Sequence, residues 1–161
     1  HKAIHSFPTR RSSDLSGKPQ NRKDLASIIA SHDVPYVAQT TFIKNFKDLH
    51  TKSEKAIYTE GAAFLNVMAP CPRGWRYPAE DMMKICELAV ETCYWPLFEV
   101  IDGKWILNYK PKKKLPIEEF LKPQGRFKHL FKKGNEHLIE EFQAEVDRRW
   151  NELLARCGEE I

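Results

Sequence analysis

Cysteine spacings typical of zinc sites and redox pairs are missing from this sequence. It contains four cysteines, and none of them forms a CxxC pair or lies beside histidines at zinc-ligand spacing. Four cysteines in 161 residues also do not make the dense framework of a small disulfide-stabilised secreted domain. The cysteine content therefore predicts a reducing, cytoplasmic compartment.

Long apolar runs and a strong charge of one sign are missing as well. The apolar runs are far too short to span a bilayer, and a net charge of +4 predicts neither a nucleic-acid surface nor a membrane surface. With 42% hydrophobic and 11% aromatic residues, the composition is that of an ordinary globular domain with a real core. We expect neither nucleic acid nor a membrane among its partners.

The first fifteen residues, His1 to Leu15, show no hydrophobic period and no capping signal. The stretch SFPTRRSSDL within them resembles the translation of a common sequencing adapter. We therefore predict that residues 1–15 are an artefact and no part of the fold, and we leave them out of the structural interpretation.

The next part of the chain alternates between helical and strand patterns. Asn21 predicts the N-cap of a first helix, with Asp24 in a capping-box position, and Asn45 predicts the cap of a second helix. The β-branched and aromatic run Val34–Thr41 predicts one strand, and the continuous apolar run Ala62–Ala69 predicts a second strand buried on both faces. This order predicts right-handed crossovers onto a parallel sheet, hence an α/β fold.

The remaining residues predict helices around one hairpin. A third helix is expected from Pro78 to about Cys93, with Cys86 and Cys93 on its apolar face as packing residues. Asp102-Gly103 is the two-residue turn of a predicted hairpin. A last helix is expected from about Asn135, and it also places Cys157 on an apolar stripe. The basic segment Lys110–Pro116 is a solvated connector in this interpretation, because no aromatic residue interleaves its lysines.

Cys71 differs from the other three cysteines in its setting. It follows the end of the second predicted strand, where functional residues of parallel sheets collect, and it lies between Pro70 and Pro72. The residues alone leave two interpretations open. Cys71 is either an inert cysteine in a proline-stiffened turn, or a thiolate ligand that the prolines and Gly74 hold in fixed geometry.

Three stretches together resemble a known family. They are GKPQNRKDLASIIASHDVPYVA, VMAPCPRGWRYP and AVETCYWPLFEVIDGKWILNYKPKKKLPIEEFLKPQGRFKHL, in that order. They resemble the C-terminal part of the beta subunit of pyruvate:ferredoxin oxidoreductase, also called pyruvate synthase. The resemblance runs from about Gly17 to Leu130.

The resemblance implies a thiamine diphosphate enzyme that uses Mg²⁺ and 4Fe–4S clusters. Such an enzyme converts pyruvate, coenzyme A and oxidised ferredoxin into acetyl-CoA, CO₂ and reduced ferredoxin, and this subunit works with alpha, gamma and delta subunits. In the family, three ligands of the cluster nearest to thiamine lie in the amino-terminal half of the subunit. The resemblance implies that Cys71 is the fourth, with Trp75 shielding the cluster from water. His32 is interpreted as a helix-end residue.

One motif of the family is missing. The GDG motif that holds the diphosphate and its magnesium does not occur in this sequence. We expect it upstream of Gly17 in a complete gene, and we expect this chain to be about half of the subunit. We therefore assign no catalytic and no thiamine-binding residue. The expected organisation is a partial thiamine diphosphate-enzyme α/β domain over residues 16–94, a hairpin and extension over 95–130, and a helical tail over 131–161.

Three interpretations of the function stay open from the sequence. The chain is either part of the catalytic oxidoreductase, with pyruvate as the expected substrate and a branched 2-oxo acid as the other choice, or a non-catalytic iron–sulfur electron-transfer or subunit-interaction module. A nucleic-acid-binding protein built on Lys110–Lys114 is the third interpretation, and steep salt dependence would be its signature.

Overall fold

A computed structural model of the chain describes residues 22–43 and 47–159. The segment predicted to be an artefact and the predicted caps Asn21 and Asn45 lie outside these residues. The described part forms one mixed sheet with helices packed around it. Its helices are α1 (Leu25–Ala30), α2 (Lys47–Tyr58), α3 (Pro72–Trp75), α4 (Met82–Glu91), α5 (Ile117–Leu121) and α6 (Glu136–Cys157), and its strands are β1 (Tyr36–Thr41), β2 (Ala63–Met68), β3 (Phe98–Ile101) and β4 (Lys104–Leu107).

The sheet has the strand order β2-β1-β3-β4. The β1 and β2 strands run parallel, with Tyr36 opposite Ala63, which confirms the predicted crossover pair. On its other side β1 pairs antiparallel with β3, and β3 pairs with β4. The predicted hairpin therefore continues the same sheet and makes it mixed. The α/β architecture, the hairpin and the C-terminal helix are confirmed.

The prediction that β2 is buried on both faces is wrong. Ala63 and Val67 are exposed, and Met68 is the buried residue of the strand. Within residues 22–43 and 47–159, β2 pairs only with β1 and forms an edge of the sheet. By contrast, every residue of β1 is buried, because it lies between β2 and β3. The continuous apolar run identified a strand correctly but not its place in the sheet.

Polar side chains fix α2 to the buried strand β1. Lys52 is only 2% exposed, and its Nζ donates to the Gln39 carbonyl oxygen at 2.9 Å and to Asp48 Oδ2 at 2.8 Å. Asp48 Oδ2 also accepts from Thr40 Oγ1 at 2.6 Å. Burial lowers the pKa of Lys52, and the attraction of Asp48 opposes that shift. These bonds satisfy groups that would otherwise be costly to bury.

Capping residues mark the start of α1 and the end of α6. Asp24 caps α1, since its Oδ1 accepts the Ser27 N–H at 3.1 Å, so the N-cap is not the predicted Asn21. Gly158 stops α6 with a left-handed φ of 70°, as predicted for the C-terminal end. Asn135 precedes α6 and donates its side-chain N–H to the His129 carbonyl oxygen. Both ends of α6 are therefore close to their predicted positions.

The third predicted helix divides into shorter pieces. A 3₁₀ turn, Ala79–Asp81, precedes α4, and α4 ends at Glu91, before Cys93. Cys86 is buried on α4 as predicted, whereas Cys93 is buried in the loop after it, with a left-handed φ of 57°. None of the helices in the described part of the chain combines the length and the apolar character that a membrane crossing requires.

The hairpin turn has the predicted geometry. Asp102 and Gly103 have φ values of 47° and 78°, which two-residue hairpin turns of this class require at both central positions. The Asp102 N–H also donates to the Pro35 carbonyl oxygen at 2.9 Å, which ties the turn to the start of β1. The hairpin is thus fixed to the sheet at its tip as well as along its strands.

Candidate functional site

Cys71 lies just beyond the carboxyl end of β2, as the sequence predicts, and it is exposed. It is the N-cap of the short helix α3, which was not predicted, and its backbone is extended at φ −86° and ψ 114°. Pro72 is the first residue of the helix, where a missing N–H costs nothing. We call residues 70–77 the Cys71 turn.

The backbone of the Cys71 turn donates one hydrogen bond to the cysteine sulfur and one to its carbonyl oxygen. The Gly74 N–H donates to Cys71 Sγ at 3.4 Å, and the Trp75 N–H donates to the Cys71 carbonyl oxygen at 2.8 Å. A Cβ on Gly74 would lie 3.5 Å from Cys71 Sγ, so the backbone passes at van der Waals distance from the sulfur. Because hydrogen bonds to sulfur stabilise its negative charge, this arrangement suits a thiolate ligand.

Tyr77 links the end of the Cys71 turn to its beginning by two hydrogen bonds. Its backbone N–H donates to the Pro72 carbonyl oxygen at 3.2 Å, and its phenol donates to the Pro70 carbonyl oxygen at 2.9 Å. The chain reverses at Arg76, which has a left-handed φ of 59°. Tyr77 is buried, and burial raises the pKa of its phenol, which keeps it a hydrogen-bond donor. The thiol is thus exposed while the residues that hold it are anchored.

A second segment, Gln124–Phe127, packs on the Cys71 turn. The Gly125 N–H donates to the Arg76 carbonyl oxygen at 2.9 Å. A Cβ on Gly125 would lie 2.8 Å from Arg76 Cβ, so only glycine fits this approach. The sequence alone identifies GRFKHL as part of a family resemblance and does not place it beside Cys71. The only signal of this close approach in the sequence is the glycine at position 125.

Arg126 covers the indole of Trp75. Its Cζ lies 3.7 Å from the Trp75 ring centre, and its Nε donates to Gln124 Oε1 at 2.8 Å. Trp75 also meets the ring of the fully buried Phe120 edge-on, at 6.2 Å between centroids. Burial lowers the pKa of Arg126 to about 10, so the guanidinium is still a cation at neutral pH. Its Nη2 is buried without a hydrogen-bond partner.

The other cysteines are in packing positions. Burial raises the pKa of Cys86, raises that of Cys93 to about 12, and raises that of the half-buried Cys157. All four cysteines are free thiols. Among residues 22–43 and 47–159, no three histidine, cysteine or acidic side chains gather where they would hold a metal ion. The described residues therefore offer one exposed thiol, that of Cys71, toward such a site.

Two further sequence interpretations involve charged residues. His32 lies in the turn after α1, where its N–H donates to the Ile29 carbonyl oxygen at 3.1 Å, which confirms a helix-end position. In the basic connector, Lys114 pairs with Asp147 of α6, and Lys110 lies 3.6 Å from Glu159. One lysine of the connector therefore pairs with the last helix, and a second pairs with a residue just after its end.

No family model matches the sequence. The chain is 43% identical over 141 residues to pyruvate synthase subunit PorB of Thermotoga maritima, with 87% of this chain and 43% of that protein covered. It is 39% identical over 137 residues to pyruvate synthase subunit PorB of Methanocaldococcus jannaschii, with 85% and 44% covered. It is 42% identical over 136 residues to ketoisovalerate oxidoreductase subunit VorB of Pyrococcus furiosus, with 83% and 42% covered.

The chain spans less than half the length of these relatives. The aligned 87% of 161 residues is about 140 residues, which is more than the 135 residues that precede α6. The similarity therefore extends into α6, farther than the sequence motifs indicated. The likeness recognised from those motifs is confirmed. Over the residues that align, the chain is PorB-like: it is similar to the beta subunit of pyruvate synthase and, to about the same degree, to the VorB subunit of ketoisovalerate oxidoreductase.

Proposed function

We propose that this chain forms part of a 2-oxoacid:ferredoxin oxidoreductase, namely pyruvate synthase, and supplies Cys71 as one thiolate ligand of a 4Fe–4S cluster. The reaction would convert pyruvate, coenzyme A and oxidised ferredoxin into acetyl-CoA, CO₂ and reduced ferredoxin. The names of the PorB relatives support the reaction, and the position of Cys71 supports the ligand.

The observation that carries the proposal is the geometry at Cys71. A cluster ligand must be an accessible thiolate in a fixed position, and hydrogen bonds to its sulfur tune the reduction potential. Cys71 is exposed, its Sγ accepts the Gly74 N–H at 3.4 Å, and prolines stiffen the chain on both sides. Cys86 and Cys93 lack this access, because both are buried in the core.

A 4Fe–4S cluster needs three more thiolates than Cys71 provides. No group of three or more candidate ligands forms among the described residues, so the others would come from elsewhere in the assembled protein. The resemblance implies that they lie in the amino-terminal half of the subunit. This chain would then contribute one corner of the site and the protein surface beside it.

Thiamine diphosphate with Mg²⁺ would supply the electron sink for decarboxylation in the complete complex. We assign no residue of this chain to either group, and we propose that residues outside it hold them. We also propose assembly with alpha, gamma and delta subunits, ferredoxin as the electron acceptor, and a cytoplasmic location. The four free cysteines are compatible with a reducing compartment.

The decisive experiment changes one cysteine at a time in the complete complex. Cys71→Ser should lose about one 4Fe–4S cluster of iron and most electron transfer to ferredoxin, because a serine oxygen replaces a thiolate poorly. Cys86→Ala is the matched control, and the variant complex should keep its iron, because Cys86 lies on the buried face of α4. Unchanged iron content and an unchanged cluster spectrum in Cys71→Ser would show that Cys71 is structural.

A second candidate is oxidation of a branched 2-oxo acid. The identity to the VorB relative, 42% over 136 residues, is close to the 43% over 141 residues for a PorB relative. Comparing kcat/KM of the complete complex for pyruvate and 2-oxoisovalerate decides between them. A non-catalytic electron-transfer module would turn over neither acid, whereas an oxidoreductase turns over at least one.

A further inference from the structure

Arg126 combines a buried positive charge with an incomplete set of hydrogen bonds. Its Nε donates to Gln124 Oε1, while its Nη2 is buried without a partner. The ionisable groups that act on its pKa are two tyrosines, Tyr94 and Tyr77, rather than a carboxylate. Burying a cation in this way costs free energy, so some other interaction must favour it.

The compensating interaction is with Trp75. The guanidinium lies over the indole at 3.7 Å from Cζ to the ring centre, a distance at which a cation is attracted by the ring. The same guanidinium lies 4.5 Å from the ring centre of Phe127, which is fully buried. The Arg126 guanidinium therefore contacts two aromatic rings, one of which belongs to the Cys71 turn.

Trp75 connects Arg126 to the cysteine through the backbone. The Trp75 N–H donates to the Cys71 carbonyl oxygen at 2.8 Å, and its neighbour Gly74 donates to Cys71 Sγ at 3.4 Å. At the other end of the Cys71 turn, the Gly125 N–H binds the Arg76 carbonyl oxygen. The segment that carries Arg126 thus contacts the Cys71 turn at two places: the Trp75 side chain and the Arg76 carbonyl oxygen.

We propose that Arg126 positions Cys71 by acting through Trp75. We also propose that the charge of Arg126 favours the reduced state of a cluster bound at Cys71. A fixed cation in a region of low dielectric attracts the extra electron and raises the reduction potential. The charge effect rests on the proposed function. The positioning effect does not, because its contacts lie entirely within this chain.

Hydrogen exchange in the 161-residue chain tests the positioning effect. Arg126→Gln should speed exchange of the Trp75 and Gly125 amides at least about fivefold, because the cation–π contact that it removes is partly desolvated. Exchange in β1 should not change. Arg148→Gln is the matched control, because Arg148 lies on the surface of α6 and pairs with Glu145. Unchanged exchange at Trp75 in Arg126→Gln would overturn the positioning role.

A redox titration of the complete complex, followed by electron paramagnetic resonance, tests the charge. Arg126→Gln should shift the midpoint of one cluster to lower potential, whereas Arg126→Lys, which keeps the charge, should stay near the wild-type midpoint. An unchanged midpoint in Arg126→Gln would overturn the charge effect. A general loss of stability would not separate the Gln variant from the Lys variant in this way.

Two outcomes keep the proposals distinguishable. If Cys71→Ser retains every cluster, the proposed ligand role of Cys71 and the charge effect are both wrong, while the exchange result still decides whether Arg126 positions the Cys71 turn. If Arg126→Gln does not fold, Arg126→Met decides, because it keeps an apolar stem and removes both the cation–π contact and the Nε bond. Wild-type exchange at Trp75 in Arg126→Met would then overturn the positioning role.

Discussion

Cys71 and Cys93 both lie just outside a regular element, yet they have opposite environments. Cys71 follows β2 and caps α3, and its thiol is exposed. Cys93 follows α4 with a left-handed φ of 57° and is 3% exposed. Burial raises the pKa of Cys93 to about 12, so its thiol stays protonated at physiological pH. Irregular backbone is therefore common to both cysteines, and the exposure of the thiol is what separates them.

The two cysteines also differ in what holds them. The Cys71 turn is held by backbone hydrogen bonds and by packing on Gln124–Phe127, so its order does not depend on burying the thiol. Cys93 is part of the apolar core cluster, so its order depends on burial. The difference predicts that changes at Cys93 act on stability, whereas changes around Cys71 act on local geometry.

The largest expected effect is the alkaline sensitivity caused by Cys93. Its pKa rises from 9.0 in the unfolded chain to about 12, so its contribution to stability is complete below pH 9 and is lost as pH rises toward 12. The loss is about 1.4 kcal/mol per pH unit. Cys93→Ala should therefore show a shallower decline of the free energy of unfolding than wild type, measured by urea denaturation at about pH 8, 9.5 and 10.5, which bracket the start of the unfolded thiol's titration.

The control for this experiment is Val90→Ala. Val90 is buried near the end of α4 but has no ionisable group, so its replacement should lower the free energy of unfolding equally at each pH. Equal pH slopes in Cys93→Ala and wild type would contradict the assignment of alkaline sensitivity to this thiol, and burial would then not explain the contrast with Cys71.

Gly125→Ala should have the next largest effect, on the Cys71 side of the comparison. The new Cβ would lie 2.8 Å from Arg76 Cβ and 2.9 Å from the Arg76 carbonyl oxygen. We expect a loss of about 1–3 kcal/mol in the free energy of unfolding, as for other overpacked sites. Gly74→Ala is the control, because its Cβ meets only the Cys71 side chain, with Sγ at 3.5 Å, an ordinary contact. Equal losses in both variants would show that the Gly125 approach is not tight.

Local signals predicted the parts of the fold that depend on neighbours in sequence. The Asp102-Gly103 turn, the ends of α6 and the position of Cys71 after β2 follow from turn chemistry, capping residues and the end of an apolar run. In each case the residues that determine the structure lie within a few positions of one another. The N-cap of α1 is an exception. Asp24 caps this helix and Asn21 does not, because both are capping residue types and the sequence does not show which of them directly precedes the helix.

Features that depend on distant residues were not predictable in this way. An apolar run looks the same in a central strand and in an edge strand, so AAFLNVMA did not reveal the exposure of β2. Likewise, Arg126 and Trp75 are 51 positions apart, and no period in the sequence links them. Sequence and family resemblance therefore predict Cys71 as a candidate site residue, while the residues that contact its turn are known only from the structure.

Arg76→Gly should have the smallest effect and should sharpen the same contrast. Arg76 has a left-handed φ of 59°, which costs a residue with a Cβ about 1 kcal/mol, so glycine should raise the free energy of unfolding by about 0.5–1 kcal/mol. The same change removes the Cβ that would crowd the new methyl group of Gly125→Ala, but it leaves the carbonyl oxygen at 2.9 Å. In a double-mutant cycle, Arg76→Gly should therefore recover part of the loss caused by Gly125→Ala. Strict additivity in urea denaturation would mean that the clash is with the backbone alone, and that the Arg76 side chain does not help to set the distance between Gln124–Phe127 and the Cys71 turn.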